Sequence, residues 1–302
     1  MDRLREMQVF VAVAEAEGFA AGARRLGMSP PAVTRAVAAL EERLGVRLLQ
    51  RSTRRVRLTE AGTRYLDDAR RLLAEVDAAD EAAAGINATP RGDLAVTASA
   101  LFGQLFVMPG IVDYLNRYPE TRVDALFVDR VVNLIDEGID VAVRIGALAD
   151  SSLRARRVGS VRIVLVAAPD YLARCGTPSQ PDGLAGHETI ASRAGSGTFG
   201  TGDWRFATPA GPHNVRVQPR LMVSTNDGAI RAALAGFGIA RLLSYQVAPH
   251  LADGSLKIVL PDCELPPLPV HLVHREWRHG SAKVRAFVDL LAARLRADPA
   301  LG

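Results

Sequence analysis

The sequence is poor in cysteine and contains no long apolar run. Its two cysteines, Cys175 and Cys263, lie far apart and belong to no CxxC pair. This spacing argues against a zinc ribbon or a disulfide framework and favours two small core residues. No apolar run approaches the length of a membrane helix, and the start of the chain lacks the residue order of a secretory signal. We therefore expect a soluble cytoplasmic protein without a membrane partner.

The net charge of +4 is unevenly distributed. Residues 1–60 contain 11 Lys and Arg against 7 Asp and Glu, whereas residues 61–302 contain 26 of each kind. All of the excess positive charge therefore lies in the first sixty residues, where a polyanion would bind.

Three zones follow one another along the 302 residues, a length that suits two or three domains. Short helical patterns and an arginine-rich turn occupy 1–60, and one long helix without proline runs through 61–89. Strands alternate with helices over 90–302. Pro90 and Gly92 mark the entry to this third zone.

The first zone predicts two short helices joined by a tight turn. Residues 19–27 form a helical pattern that ends at Gly27, and Ser29 can cap a second helix whose first turn accommodates Pro30. Ala23 is small enough for the two helices to cross closely, as a helix-turn-helix requires. The second helix places four apolar residues on one face: Val33, Val37, Leu40 and Leu44.

The opposite face of the second helix carries Ser29, Thr34 and Arg35 near its N-terminus. This is the end that helix-turn-helix proteins insert into the major groove. Arg35 could pair with a guanine edge or with a phosphate, and the sequence leaves both open.

An arginine-rich hairpin is predicted directly after these helices. Residues 43–59 hold six arginines and no acid, and two short apolar strands flank a tip at 52–55. A basic run by itself is more often a solvated face, but behind a helix-turn-helix it indicates a wing that contacts phosphates or the minor groove. The candidate contacts on the wing are Arg51, Thr53, Arg54 and Arg55.

The long helix carries an apolar or small residue at alternating spacings of four and three. This heptad seam predicts a dimerisation helix roughly 40 Å long. The alternative is an amphipathic helix that lies on its own domain. A DNA reader with a two-fold axis gains a second half-site, which favours the dimer. The seam consists of Tyr65, Ala69, Leu72, Val76, Ala79, Ala83 and Ile86.

The third zone predicts a two-lobed α/β domain. Strand patterns at 94–98, 122–128 and 141–145 alternate with helical patterns, including one at 131–140, and imply parallel strands with crossover helices. Lobe I is expected at 90–162 and 268–302, lobe II at 163–267, and a cleft between them.

The sequence resembles the LysR-type transcriptional regulators over its whole length. Residues 10–62, FVAVAEAEGFAAGARRLGMSPPAVTRAVAALEERLGVRLLQRSTRRVRLTEAG, look like the DNA-binding signature of that family, and residues 140–146 and 224–240 resemble its effector domain. The resemblance implies an N-terminal winged helix-turn-helix, a linker helix and an α/β effector domain similar to periplasmic binding proteins. It would place Ser29, Pro30, Thr34 and Arg35 at the recognition-helix contacts and Arg54 on the wing. Many members carry a polar residue where Pro30 stands, and Pro30 has no side-chain donor.

A regulator of this kind would bind an interrupted inverted repeat in promoter DNA and associate with the nucleoid. Its partners would be double-stranded DNA, a small-molecule effector, other copies of itself as a dimer or tetramer, and RNA polymerase. The effector would be a small metabolite, with an anion as one option, and would contact a set carried over by family position and chemistry: Ser99, Phe102, Arg144, Ser192 and Asn226. Helix capping is the competing role for Ser99, Asn226 and Asp227, and an ion pair with a nearby acid, such as Asp140, competes for Arg144.

Enzyme and cofactor motifs are weak or missing. Residues 195–200 spell GxGxxG, but a strand pattern follows where a dinucleotide site requires a helix. His271 and His274 fall on opposite faces of a strand, so with His279 they make a poor metal cluster. No P-loop, nucleophile elbow or HExxH is present, and we expect no cofactor, metal or catalytic residue. A solute-binding module that acts without DNA and an enzyme that uses the cleft remain the alternatives.

Overall fold

A computed structural model describes residues 2–51, 56–83, 89–148, 153–193, 203–275 and 281–302. The chain divides into two compact units, with the division between residues 88 and 89.

The first unit is a helix-turn-helix followed by a hairpin and a long helix, as the sequence predicts. Gly27 and Gly45 end the second and third helices with φ of 61° and 67°, left-handed values that glycine adopts without steric cost. In chain order its elements are α1 (Arg3–Glu15), α2 (Phe19–Leu26), α3 (Pro30–Leu44), β1 (Leu49–Arg51), β2 (Val56–Leu58) and α4 (Glu60–Ala83).

A small apolar core holds the first three helices together. Phe10 and Val13 of α1 are fully buried against Val37 and Leu40 of α3. Helices α1 and α2 approach closely at Gly22, where an added Cβ would lie 2.9 Å from a Val13 methyl. Close crossing therefore requires Gly22 as well as the small Ala23 beside it. Leu44 differs from the predicted apolar face, because α3 ends there and the side chain is 37% exposed.

The second unit begins with a strand and a helix interrupted by a π-helical turn. Its elements up to the first crossing between sheets are β3 (Gly92–Ala98), α5 (Ala100–Phe102), the π-turn Gly103–Val107, α6 (Met108–Arg117), β4 (Thr121–Phe127), β5 (Val141–Ile145) and β6 (Leu153–Val161). The remaining elements are β7 (Ile163–Ala167), α7 (Pro169–Cys175), β8 (Thr189–Ser192), β9 (Asp203–Thr208), β10 (Gly211–Arg216), β11 (Leu221–Val223), α8 (Asn226–Leu234), β12 (Ile239–Leu243), α9 (Ser244–Ala252), β13 (Lys257–Val259), β14 (Leu268–Arg275) and α10 (Ala282–Ala297).

Two five-stranded sheets form the two lobes. The order is β4-β3-β5-β14-β6 in lobe I and β11-β8-β12-β7-β13 in lobe II. Strands β3, β4 and β5 are parallel, as are β8, β11 and β12, while β14 and β7 pair antiparallel with their neighbours. The chain passes between the sheets after β6 and again before β14. The predicted two-lobed α/β architecture is confirmed.

The helix predicted over 131–140 is wrong, because these residues form a series of turns. The Asn133 side chain accepts a hydrogen bond from the backbone N–H of Ile135 at 3.0 Å, and Glu137 accepts one from the N–H of Asn133 at 3.2 Å. Side chains that bond nearby backbone in this way compete with helix formation. The apolar periodicity instead reflects a turn that buries three residues against lobe I: Val132, Leu134 and Ile139.

Candidate DNA-reading surface and effector site

The first turn of α3 carries exposed side chains, and Arg35 follows in the second turn. Ser29, Pro30 and Arg35 are exposed, and the Thr34 hydroxyl donates to the backbone oxygen of Pro30 at 3.0 Å. Ser29 occupies the N-cap position, but its side chain makes no capping hydrogen bond. The four residues predicted to read DNA on this helix therefore lie within its first two turns.

The wing is a short antiparallel hairpin in which Leu49 pairs with Leu58 and Arg51 with Val56. Its tip, residues 52–55, lies outside the described residues, so the candidates Thr53, Arg54 and Arg55 have no described placement. Arg47 and Arg57 are exposed on the described part of the arginine-rich run.

A buried carboxylate that sequence reasoning missed joins the wing to α3. Glu41 is 8% exposed, and one of its oxygens accepts the backbone N–H groups of Leu48 at 2.8 Å and Leu49 at 3.0 Å. These residues begin the hairpin, so the carboxylate fixes where the wing starts relative to α3. The sequence does contain a sign of this burial, because Glu41 lies four residues after Val37 and therefore on the apolar face of α3.

Two further acids on α1 connect the helices of the same unit. Glu6, 5% exposed, accepts hydrogen bonds from Arg43 of α3 at 3.2 and 3.3 Å. Glu15 pairs with Arg25 of α2 at 2.5 Å and with Arg70 of α4 at 3.0 Å. Arg25, Arg43 and Arg70 are therefore each paired with an acid of α1.

The predicted seam of α4 divides into two parts. Tyr65 contacts the Phe10 ring edge-on at 5.5 Å and Ala69 is 1% exposed, so both pack within their own unit. Leu72 is 42% exposed and Ala79 is exposed, while Val76 is half-buried. Ala83 ends the helix, and Ile86 lies outside the described residues. The beginning of the helix follows the alternative, an amphipathic helix on its own domain, whereas its later turns leave apolar surface uncovered.

The candidate effector residues lie at the carboxyl ends of parallel strands. Ser99 follows β3 and Arg144 is near the end of β5 in lobe I; Ser192 ends β8 and Asn226 follows β11 in lobe II. Ligands of open α/β sheets bind beyond these strand ends. Thr225, not Asn226, caps α8, because its hydroxyl accepts the N–H of Gly228 at 3.1 Å. Capping therefore does not occupy the Asn226 side chain.

Phe102 differs from the other candidates because it is fully buried. Its ring lies 4.8 Å from that of Phe106 and 5.2 Å from that of Tyr245 of lobe II. The hydroxyl oxygen of Ser99 is buried close to the Tyr245 hydroxyl. Burial raises the pKa of Tyr245 to about 12. The aromatic cluster of Phe102, Phe106 and Tyr245 therefore connects lobe I with lobe II.

An acid accepts a backbone N–H at the start of α5. Asp129 accepts the N–H of Ala100 at 3.0 Å, beside Ser99. Arg144 donates to the backbone oxygen of Val132, and desolvation lowers its pKa. Asp140 instead accepts the N–H of Ala95 at 2.8 Å. The acid whose charge acts on Arg144 is therefore Glu137 rather than Asp140.

Two family models match the chain. The lysR family of bacterial regulatory helix-turn-helix proteins matches residues 4–63, and the LysR substrate binding domain matches residues 87–296. The chain belongs to the LysR family. It is therefore a DNA-binding transcription regulator rather than an enzyme, and regulators of the LysR type bind small-molecule effectors and form oligomers.

Individual LysR relatives cover nearly the whole chain. An HTH-type transcriptional regulator of Xanthomonas campestris pv. campestris is 35% identical over 98% of this chain and 86% of its own length. The transcriptional activator AaeR of Escherichia coli is 34% identical over 96% of this chain and 93% of its own length. The structure of CrgA from Neisseria meningitidis is 32% identical, with 96% and 98% covered and a TM-score of 0.61. Full-length AphB of Vibrio cholerae is 26% identical, with 97% and 99% covered and a TM-score of 0.62.

Neither a membrane helix nor a metal cluster occurs within the described ranges. None of their helices is long and apolar enough to cross a membrane, and no three His, Cys, Asp or Glu side chains lie where they could share a metal ion. The GxGxxG spelling at 195–200 and His279 lie outside those ranges.

The role of Glu41 can be tested with Glu41→Ala. Two buried N–H groups would lose their acceptor, so we expect the free energy of unfolding to fall by about 1–3 kcal/mol, with weaker DNA binding because the wing is no longer held. Denaturant titration and DNA titration measure the two effects. Glu42→Ala, on the exposed neighbour, is the matched control, and equal behaviour of the two variants would refute the role.

The buried Tyr245 hydroxyl predicts a specific alkaline sensitivity. Its folded-state pKa of about 12 exceeds the ordinary value of 10.0. The associated stability is complete below pH 10 and is lost as pH rises towards 12, a change of about 2–3 kcal/mol in full. Thermal melts at rising pH should therefore show a smaller loss for Tyr245→Phe than for the wild type. Tyr118→Phe serves as the control, and parallel losses in all three proteins would contradict the assignment.

Proposed function

We propose that the protein regulates transcription by binding an interrupted inverted repeat in promoter DNA, and that it senses a small metabolite between lobes I and II. The observation that carries the proposal is the exposed first turn of α3 beside a basic hairpin. Glu41 links these two elements directly. The proposed DNA contacts are Ser29, Pro30, Thr34, Arg35, Arg51, Thr53, Arg54 and Arg55.

The proposed effector site lies beyond the strand ends that carry Ser99, Arg144, Ser192 and Asn226. The Asp129 carboxylate lies beside Ser99. It disfavours a second negative charge next to Ser99, because like charges repel. An anionic group of the effector would instead face the guanidinium of Arg144, while hydroxyl or amide groups suit Ser99. The buried Phe102 ring packs against Phe106 and Tyr245 next to Ser99.

A second copy of the chain is the proposed partner of α4. Leu72 and Ala79 are exposed one heptad apart on the same face, and two such faces can pack against each other. A symmetric dimer would present two recognition helices to two half-sites. Dimers of this kind would pair into tetramers, and activation would require contact with RNA polymerase.

Salt dependence tests the DNA-binding surface. Arg35→Ala should lower the slope of log affinity against log salt concentration by about two for a dimer on two half-sites, because each lost phosphate contact releases about one counterion. Titration of a promoter fragment by fluorescence anisotropy at several salt concentrations measures the slope. Arg122→Ala, which removes an exposed arginine of the effector unit, should leave the slope unchanged, and equal slopes for both variants would argue against Arg35.

Dimerisation through α4 is tested by Leu72→Glu. A buried carboxylate at the seam is unfavourable, so light scattering should show a lower mass for the variant than for the wild type. Val112→Glu, which places the same charge on an exposed apolar position of α6, shows whether the effect is specific to α4. An unchanged mass for Leu72→Glu would exclude the seam.

A further inference from the structure

Three basic side chains form a row across three neighbouring strands of the lobe I sheet. His271 of β14 is paired in register with Arg144 of β5 on one side and with Arg157 of β6 on the other. Directly opposite residues of paired strands point to the same face of a sheet, and their Cα atoms are about 5 Å apart. The row therefore presents a histidine between two arginines on a single face.

The row lies on the face of the lobe I sheet that is opposite α6 and α10. Two residues further along their strands, Ala142 and Val273 belong to the apolar cluster of the turn at 131–140, whereas α6 and α10 belong to another cluster. Arg157 is exposed and the other two members of the row are half-buried. The turn therefore leaves the row accessible to a ligand.

The acids near the row do not neutralise it. Glu137 acts on the charge of Arg144, but its two carboxylate oxygens also accept hydrogen bonds from Arg130. The charges of Glu137 and Arg130 cancel, so this pair leaves the positive charge of Arg144 in place. Two arginine charges then remain on the row.

Arg157 differs from its neighbour on the same strand. Arg156, on the other face of β6, pairs with Asp289 of α10 at 2.7 Å. No acid of the described segments forms an ion pair with Arg157. Like charges on neighbouring strands destabilise a sheet, so an anion bound to the row would relieve an unfavourable interaction.

The histidine of the row has a buried ring nitrogen. The Nδ1 atom of His271 is buried, and no group in the described part of the chain forms a hydrogen bond with it. A proton on Nδ1 would create a buried N–H without an acceptor, which is unfavourable. The neutral ring therefore carries its proton on Nε2, where it adds an N–H donor to the two guanidinium groups.

We propose that Arg144, His271 and Arg157 bind the phosphate group of a small metabolite. A phosphate group has three acceptor oxygens and nearly two negative charges, which match two guanidinium groups and one N–H. A carboxylate has fewer oxygens and one charge. The inference rests on the proposed effector site, to which Arg144 belongs. The row extends from β5 towards β6, on the side of the sheet away from Asp129.

Thermal melts of the full-length protein without DNA test the proposal, with inorganic phosphate as the probe. Sodium phosphate replaces sodium chloride at constant pH and ionic strength, so that charge screening stays equal. A ligand that binds the native state raises the melting temperature. We expect phosphate to raise it by a few degrees and acetate to leave it unchanged. Equal melting temperatures in phosphate and chloride, or an equal rise with acetate, would overturn the inference.

Variants of the row distinguish binding from the general stabilisation that phosphate gives to proteins. His271→Ala and Arg157→Ala should each weaken phosphate binding about tenfold or more, because each removes a hydrogen bond to a charged group. Arg157→Lys keeps the charge without the planar donors and should restore part of the affinity. Arg122→Ala, at an exposed position of the far edge strand β4, is the matched control. The same rise in all four variants would contradict the proposal.

The DNA-reading surface is another place where phosphate would bind, and Arg35→Ala separates the two. We expect this variant to keep the phosphate-dependent rise, and a rise lost in Arg35→Ala but kept in Arg157→Ala would overturn the inference. In phosphate-free buffer, Arg157→Ala should bind promoter DNA as tightly as the wild type. A wild type that binds phosphate through the row but binds no DNA would refute the proposed regulation of transcription and leave the phosphate site intact.

Discussion

The geometry of the DNA-reading unit depends on the hydrogen bonds between the Glu41 carboxylate and the backbone N–H groups of Leu48 and Leu49. Removing a carboxylate from water is unfavourable unless hydrogen bonds replace its hydration. Only a chain that leaves α3 in one direction can supply both N–H groups, so the acid selects one path for the hairpin. The arginines of that hairpin act on DNA only if their position relative to α3 is fixed.

The packing of α4 against β1 adds a steric constraint to this electrostatic one. An added Cβ on Gly62 would lie 2.0 Å from the backbone oxygen of Leu48. The Thr59 hydroxyl accepts the N–H of Gly62 and donates to the backbone oxygen of Arg47 at 2.8 Å. The start of the linker helix is thereby attached to the start of the wing. Helix α3, the wing and α4 meet around residues 47–49, so the start of α4 is held in place relative to the proposed DNA-reading surface.

The sequence predicts much of what local chemistry determines, with one local exception, and does not predict contacts between distant residues. The end of α2 follows from Gly27, and the hairpin follows from two short apolar runs around a polar tip. The apolar spacing of residues 131–140 suits both a helix and a turn. The Asn133 side chain favours the turn, because it accepts the backbone N–H of Ile135. The contact of Phe102 with Tyr245 joins residues from different lobes, and no periodicity connects them. The sequence predicts that Phe102 contacts the effector, and it does not show that the ring is fully buried.

The same distinction applies to the effector site. Strand ends are visible in a sequence, and they place Ser99 and Asn226 at the edge where α/β domains bind ligands. The charge of that edge is a tertiary property, because Asp129 reaches Ala100 from the loop after a neighbouring strand. A helix start that looks suited to an anion is thereby already compensated. Since Asp129 precedes the turn that supplies the Val132 oxygen to Arg144, this one loop sets both the negative and the positive group of the lobe I edge. The proposed effector edge therefore takes its negative group, Asp129, and the backbone partner of its positive group, the Val132 oxygen, from the same loop.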